Sequence, residues 1–266
     1  MKVGVFDSGL GGLTVLKSIL EIFRNAEIFY IADTAYAPYG EKTVEQILNR
    51  CDNITRHLLE NHKIEALIVA CNTATSAAIK YLREKFPFLI VIGTEPGIKP
   101  AILNTKTSNV GILATPATLK GEKYQFLVNE LSNIKKVELY EQACIGLVDQ
   151  IEKGEIDSPK TFDMLENWLK PMKKNSVDTI VLGCTHYPLV EEIIRKIMGE
   201  DIVLIQTGNA IANRLLSLSK DKGHKNMGKL TIHICHTGPI NIDMIEKIIE
   251  NKNIEIRKCE IWVRTF

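Results

Sequence analysis

The feature that most constrains this chain is a motif present twice: an apolar run that stops at a cysteine and is followed at once by hydrogen-bonding side chains. The first copy, residues 67–76, reads LIVACNTATS, and the second, residues 179–189, reads TIVLGCTHYPL. Leu67, Ile68 and Val69 read as a buried strand, and Asn72, Thr73, Thr75 and Ser76 as the turn that opens a helix. In the second copy Cys184 precedes Thr185 and His186, and Pro188 is placed to start a helix. Cys71 and Cys184 therefore each stand at the carboxyl end of a strand. That edge of an open α/β sheet is where backbone N–H groups and helix N-termini collect ligands. One buried cysteine is usually inert packing; two in matching positions of similar units suggest a pair of thiols facing one substrate.

Around these copies, strand and helix patterns alternate. A strand at 2–6 leads through a glycine-rich turn to a helix on which Leu13, Leu16, Ile19, Leu20 and Phe23 recur at helical spacing. A strand at 27–31 is followed by a loop, 33–40, that turns sharply at Pro38-Tyr39-Gly40. Thr43 and Gln46 form a capping-box pattern for a helix to about 60, a second helix spans 74–85, and a strand spans 89–92. The segment GTEPGIKPA then marks a domain boundary near 97. The next unit predicts a strand at 109–114, a helix at 119–131, a weaker strand at 137–140, and helices at 147–153 and 161–173. A strand at 202–205 precedes a helix capped by Asn209, and 220–229 reads as a polar loop. The tail, with strands at 230–235 and 254–262 and a helix at 242–249, is expected to pack on the first unit. The fold class is thus α/β. The expected first domain is 1–97 completed by 207–266, and the second is 98–206.

Composition removes several function classes. With 33 basic and 32 acidic residues the net charge is +1, so no global field favours nucleic acid or an anionic membrane, and an anionic ligand must be held locally. No leader-like segment precedes the first strand and no apolar run reaches membrane-spanning length, so a cytoplasmic protein is expected. The six cysteines are scattered without a C-x-x-C pair, which argues against a disulfide framework or a structural zinc. His233, Cys235 and His236 invite a metal reading, but adjacent strand residues face opposite ways and no further ligand cluster lies nearby. Gly9, Gly11 and Gly12 spell neither a dinucleotide fingerprint nor a P-loop, so no cofactor is expected. Some residues keep two readings. Asp7 and Ser8 form a helix cap or point into the crevice with Cys71; Thr115 and Thr118 cap a helix or bind a ligand; Glu152, by itself, is a helix-surface glutamate.

Taken in order, Asp7-Ser8-Gly9, Pro38-Tyr39-Gly40, Cys71-Asn72-Thr73 and Cys184-Thr185-His186 resemble the cofactor-independent, two-cysteine glutamate racemases. Gly93 to Pro96 and Ala114-Thr115 to Thr118 carry the resemblance further, so that it covers nearly the whole chain. It implies two similar doubly wound α/β domains with the active site in the cleft between them. It also implies that Cys71 and Cys184 are the acid/base pair, aided by Asp7, Glu152 and His186. Substrate contacts would fall on Asp7, Ser8, Tyr39, Gly40, Asn72, Thr73, Thr118, Thr185 and His186. A homodimer and a role in supplying D-glutamate for peptidoglycan follow from the resemblance alone. The chain departs from the family at Gly121, where serine is frequent, at Gln206, where an acid often stands, and in lacking prolines near Ile145 and Asp149.

The chemistry is consistent with that resemblance. Inverting an amino acid at Cα removes a weakly acidic proton from one face and delivers one to the other, which calls for two bases. A thiolate serves if its partners match it to the operating pH. Without pyridoxal phosphate, fixed donors must stabilise the carbanion, and the backbone N–H groups after each cysteine are well placed. Two other readings remain open: a related two-cysteine isomerase acting on aspartate, hydantoin or maleate, and a non-catalytic α/β binding module with buried thiols.

Overall fold

A computed structural model describes residues 1–23, 26–132, 136–224, 229–250 and 254–261. The chain divides into two compact units, Met1–Thr94 with Gly208–Phe266, and Glu95–Thr207. The first holds a parallel sheet built from β1 (Lys2–Asp7), β2 (Glu27–Ala32), β3 (Ala66–Val69) and β4 (Ile90–Gly93). The second is built on β5 (Asn109–Ala114), β6 (Glu138–Ala143), β7 (Thr179–Gly183) and β8 (Val203–Ile205), again all parallel. Two late strands, β9 (Thr231–His236) and β10 (Ile254–Lys258), extend the first sheet alongside β2. The strand orders are β10-β9-β2-β1-β3-β4 and β6-β5-β7-β8. Each unit therefore repeats the doubly wound order 2-1-3-4, whose direction of winding reverses between its first and third strands.

Burial on both faces explains the sequences of the central strands. β1, β3 and β7 are nearly continuous apolar runs without alternation, as parallel strands covered by helices on both sides must be. The edge strand β6, ELYEQA, has no fully buried residue and is correspondingly polar. On one face of the first sheet, Ile47, Cys51, Ile54 and Leu58 of the helix Val44–His62 pack with Phe6, Phe29, Leu67 and Val69. Full burial of each such aliphatic side chain is worth about 1.5–3 kcal/mol relative to exposure. The helix Gly208–Asp221 packs beside the helix Gly12–Ile22, and a Cβ at Gly208 would lie 2.3 Å from Ser18 Oγ, so a side chain there would have to push Ser18 aside.

Several sequence expectations shift. The helix expected from 74 begins at Asn72, with Cys71 itself as its N-cap. The helix expected at 119–131 is two pieces, Pro116–Lys120 and Glu122–Ser132, because Gly121 between them is extended. The proline-rich boundary contains a short helix, Ile98–Asn104. The helix Gly208–Asp221 starts before Asn209, which therefore lies in its first turn and not at its cap, and it covers the first residues of the expected polar loop, whose residues 225–228 fall outside those described. β10 ends at Lys258, and Trp262 of the expected strand lies outside the described residues. Cys235 and Cys259 are joined by a disulfide, although the spacing of the cysteines gave no sign of one. The pairing depends on the register of β9 against β10, which sets Arg257 beside Cys235 and brings the two Cα atoms to 5.6 Å.

Candidate active site

In the first unit the winding reverses between β1 and β3, and Asp7 and Cys71 lie at the carboxyl ends of those two strands. The register Phe6↔Val69 sets those ends side by side. Asp7 is fully buried, and its Oδ2 accepts the Gly9 N–H at 2.9 Å. It is not a helix cap: the cap of the next helix is Gly11, with no side-chain bond. Gly12 makes this packing possible, since a Cβ there would lie 2.6 Å from Asp7 Cβ and 3.1 Å from Ala70 Cβ. Tyr30 closes the turn by donating its hydroxyl to Gly9 O at 2.7 Å.

Cys71 is 6% exposed, and its Sγ accepts the Ala74 N–H at 3.4 Å. Ser8 Oγ lies 3.8 Å from the same sulfur. An N–H aimed at sulfur from the first turn of a helix stabilises negative charge there. Asn72 and Thr73, both buried, occupy that first turn. The strand end is pinned by Thr94, whose hydroxyl lies 2.7 Å from Ala70 O and 3.0 Å from Val69 O. Thr75 reinforces it, donating to Val69 O and accepting the Thr94 N–H, each at 3.0 Å.

The turn carrying Tyr39 and Gly40 is a 3-10 turn, Tyr39–Glu41, that follows a cis Ala37–Pro38 bond. Tyr39 is buried in the same cluster as Cys51 and Cys71, and its hydroxyl donates to Asp33 Oδ2 at 2.7 Å. Burial, then the negative charge of Asp33, pushes its pKa well above the ordinary phenol value. Burial likewise keeps Cys51 a thiol.

The second unit places its residues the same way. Its winding reverses between β5 and β7; Thr115 follows the first of these and Cys184 the second. Thr115 caps the short helix Pro116–Lys120 through the Thr118 N–H, and the Thr115 and Thr118 hydroxyls lie 2.9 Å apart. Capping is thus the observed role of Thr115, while Thr118, 2% exposed, sits behind it. Cys184 is 8% exposed, and its Sγ is 3.6 Å from His186 Nδ1. His186 Nε2 meets Glu152 Oε1 at 2.6 Å, with the histidine buried and the glutamate 25% exposed. Burial alone opposes a charged imidazole, but the hydrogen bonds and negative charges of Cys184 and Glu152 outweigh it, and the His186 pKa is raised well above its ordinary value. Thr185, buried, lies between the thiol and the imidazole in sequence.

Glu152, which on its own reads as a surface residue, is thus the far end of a thiol–imidazole–carboxylate chain. No local signal reveals this, because it ends the helix Leu147–Glu152 and reaches His186 from 34 positions away. Sequence reasoning missed a further thiol, Cys144, whose Sγ donates to Gln142 O at 3.6 Å and whose pKa is pushed up to about 12 by burial. The tail residues that invited and failed a metal reading have other partners: His233 Nδ1 meets Glu255, His236 Nδ1 meets Gly238 O, and Cys235 is in the disulfide. Among the described residues no group of His, Cys, Asp and Glu side chains is arranged to hold a metal ion, and no helix is long and apolar enough to cross a membrane.

Residues 3–215 match the model of the family described as Asp/Glu/Hydantoin racemase. A glutamate racemase of Aliarcobacter butzleri is 74% identical over 98% of this chain and 100% of its own length. Among solved structures, the glutamate racemase isoform RacE1 of Bacillus anthracis superposes with a TM-score of 0.84 at 31% identity, covering 98% of both chains. The Escherichia coli glutamate racemase, solved with L-glutamate and the activator UDP-MurNAc-Ala, matches with a TM-score of 0.84 at 30% identity over 97% of each chain.

Proposed function

The chain belongs to the Asp/Glu/hydantoin racemase family, and from that premise we propose that it interconverts L- and D-glutamate by two-base proton transfer at Cα. The observation that carries the mechanism is that both units set a cysteine within two residues of the end of the third strand of the same sheet order. In the direction from L to D, the ionised Cys184 sulfur takes the Cα proton, and the electron pair left behind spreads into the α-carboxylate. The Cys71 thiol then delivers its proton to the opposite face. One proton leaves and one arrives, so thiol and thiolate have exchanged places, and the reverse direction uses them in the opposite sense.

The remaining residues take supporting roles. His186, held as an imidazolium by Glu152, keeps negative charge on Cys184 favourable without leaving its own charge unpaired. The Ala74 N–H does the corresponding work at Cys71, whose thiol when protonated donates to Ser8 Oγ, with Asp7 as its acidic partner. Gly40, Asn72, Thr73, Thr118 and Thr185, with the main chain of Tyr39, hold the two carboxylates and the amino group of the substrate. Such fixed donors stabilise the developing charge that a cofactor would otherwise delocalise. A homodimer, residence in the cytoplasm and the supply of D-glutamate for peptidoglycan belong to the same proposal and rest on the family alone.

The test is circular dichroism of L-glutamate incubated with the purified protein, without added cofactor and after dialysis against a chelator. The signal should decay to zero; a stable signal, or one that decays only with pyridoxal phosphate or a metal, overturns the proposal. Faster loss of the circular dichroism of L-aspartate or of a chiral 5-substituted hydantoin, or faster conversion of maleate to fumarate followed by absorbance, would replace glutamate as the substrate. Slow thiol labelling of Cys71 and Cys184 that glutamate does not affect would favour the binding module.

A further inference from the structure

Behind the Tyr39–Gly40 turn lies an ion pair that takes no direct part in the chemistry described above. Asp33, directly after β2 and fully buried, accepts from Arg50 Nε at 2.7 Å and Nη2 at 2.5 Å, from the Tyr39 hydroxyl at 2.7 Å and from Thr237 Oγ1 at 2.9 Å. Arg50 lies on the inward face of the helix Val44–His62, 6% exposed, among Ile47, Cys51 and Ile54. Its remaining fork donates to Ile261 O at 3.1 Å, and its guanidinium lies over the Tyr36 ring at 5.6 Å. Thr237, one residue past β9, also accepts the Ala35 N–H at 3.0 Å, and next to it the Gly238 N–H donates to Thr34 Oγ1 at 2.9 Å.

We propose that Asp33, Arg50 and Thr237 act as positioning residues for the substrate turn Tyr39–Gly40, an inference that rests on the racemase reading above. Stability alone does not account for the pair. A buried ion pair repays its desolvation poorly, and apolar side chains of similar volume would hold a core as well or better. What a bidentate carboxylate–guanidinium fork supplies is direction, because its two parallel bonds fix both planes. Here the fixed carboxylate plane holds the Tyr39 hydroxyl. The Tyr39 proton is committed to Asp33, so the turn addresses an anionic ligand through its main chain, and the clamp decides where that main chain lies. The clamp is also made from separate parts of the chain: the end of β2, the middle of a helix, the end of β9 and the carbonyl of Ile261. The loop between Asp33 and Tyr39 has neither helix nor strand, only a turn at 34–36 closed by the Tyr36 N–H on Asp33 O at 3.0 Å.

Holding a turn that contacts ground state and transition state alike predicts an effect on KM with little on kcat. In the full-length protein, Arg50→Lys, Asp33→Asn and Thr237→Val should each raise KM for glutamate about 5–20-fold while kcat falls less than about threefold. Thr237→Ser, which keeps the hydroxyl, should restore the KM. Amide hydrogen exchange over residues 34–41 should quicken in the three variants and not in Thr237→Ser. A purely structural role would instead lower the active fraction, and with it kcat, at constant KM; that pattern overturns the proposal. If Arg50→Lys or Asp33→Asn does not fold, the Thr237→Val and Thr237→Ser pair decides, since valine keeps the shape of threonine. Wild-type protein that racemises nothing refutes the functional reading instead, and the exchange measurement still tests the clamp.

Discussion

Glu152→Gln isolates the charge at the far end of the thiol–imidazole–carboxylate chain. The Nε2–Oε1 contact of 2.6 Å is a charge-assisted hydrogen bond between a buried imidazolium and a carboxylate that is 25% exposed. Such bonds contribute about 1.5–3 kcal/mol against roughly 0.5–1.5 for neutral ones, and glutamine keeps the neutral bond. The difference, about 1–1.5 kcal/mol, corresponds to a loss of roughly 5–12-fold in kcat/KM. Because one enzyme serves both directions of a reaction with an equilibrium constant near unity, the loss should be the same from L and from D. A second signature has a definite sign. Glu152 is one of the influences that raise the His186 pKa, so its removal lets that pKa fall, and the alkaline limb of the pH–rate profile should move to lower pH. Initial rates by circular dichroism across the pH range measure both effects. An unchanged kcat/KM, or an alkaline limb that stays in place or moves upward, would show that the carboxylate does not act through His186.

Cys71→Ala and Cys184→Ala should each lower racemisation by at least about 10²–10⁴-fold, the range general acid–base groups supply, with the far-UV spectrum unchanged; near-normal turnover in either excludes the two-thiol assignment. Thr94→Val removes the hydroxyl that holds Val69 O and Ala70 O immediately before Cys71; it should cost about 1–2 kcal/mol, read as a lower urea midpoint at unchanged slope, and an unchanged midpoint refutes it. The His62 pKa is lowered to about 4, first by burial and then by nearby positive charge, so the folded state holds this histidine neutral where the unfolded chain would protonate it. Stability should therefore decline as pH falls from the ordinary histidine value of about 6.5 to about 4, and His62→Gln should flatten that slope; an identical slope removes His62 as its source.

How much of this could be read from the sequence depends on how local each signal is. The strands before Cys71 and Cys184 are legible because a parallel strand covered on both faces must be an unbroken apolar run. The Thr43–Gln46 capping box is legible because its two bonds lie within one turn, and both are present. Cys71 as an N-cap was missed because cysteine is not among the residues expected there; its sulfur takes the place of the usual oxygen on the N3 amide. The clamp on Asp33 and the partnership of Glu152 with His186 were not legible from the residues themselves, since each joins positions that only the sheet order and helix packing bring together.

The repeated sheet order sharpens what the two halves must do differently. A two-base inversion requires one sulfur ionised and the other protonated in each direction, so two identical environments would compete for the same state. The described surroundings are not identical. Cys71 receives a backbone N–H and lies near a hydroxyl, both neutral, beside the buried Asp7 on the neighbouring strand. Cys184 faces an imidazole whose charge is held by a carboxylate. The imidazole beside Cys184 is cationic when protonated, whereas the titratable group the proposal gives to Cys71, the carboxyl of Asp7, is anionic when ionised, so the two partners favour opposite states of their sulfurs. In the proposed two-thiol mechanism, the reversal point of the strand order supplies the shared placement of the two thiols, and the residues that follow each cysteine, Asn-Thr-Ala in one unit and Thr-His in the other, supply the difference the reaction needs.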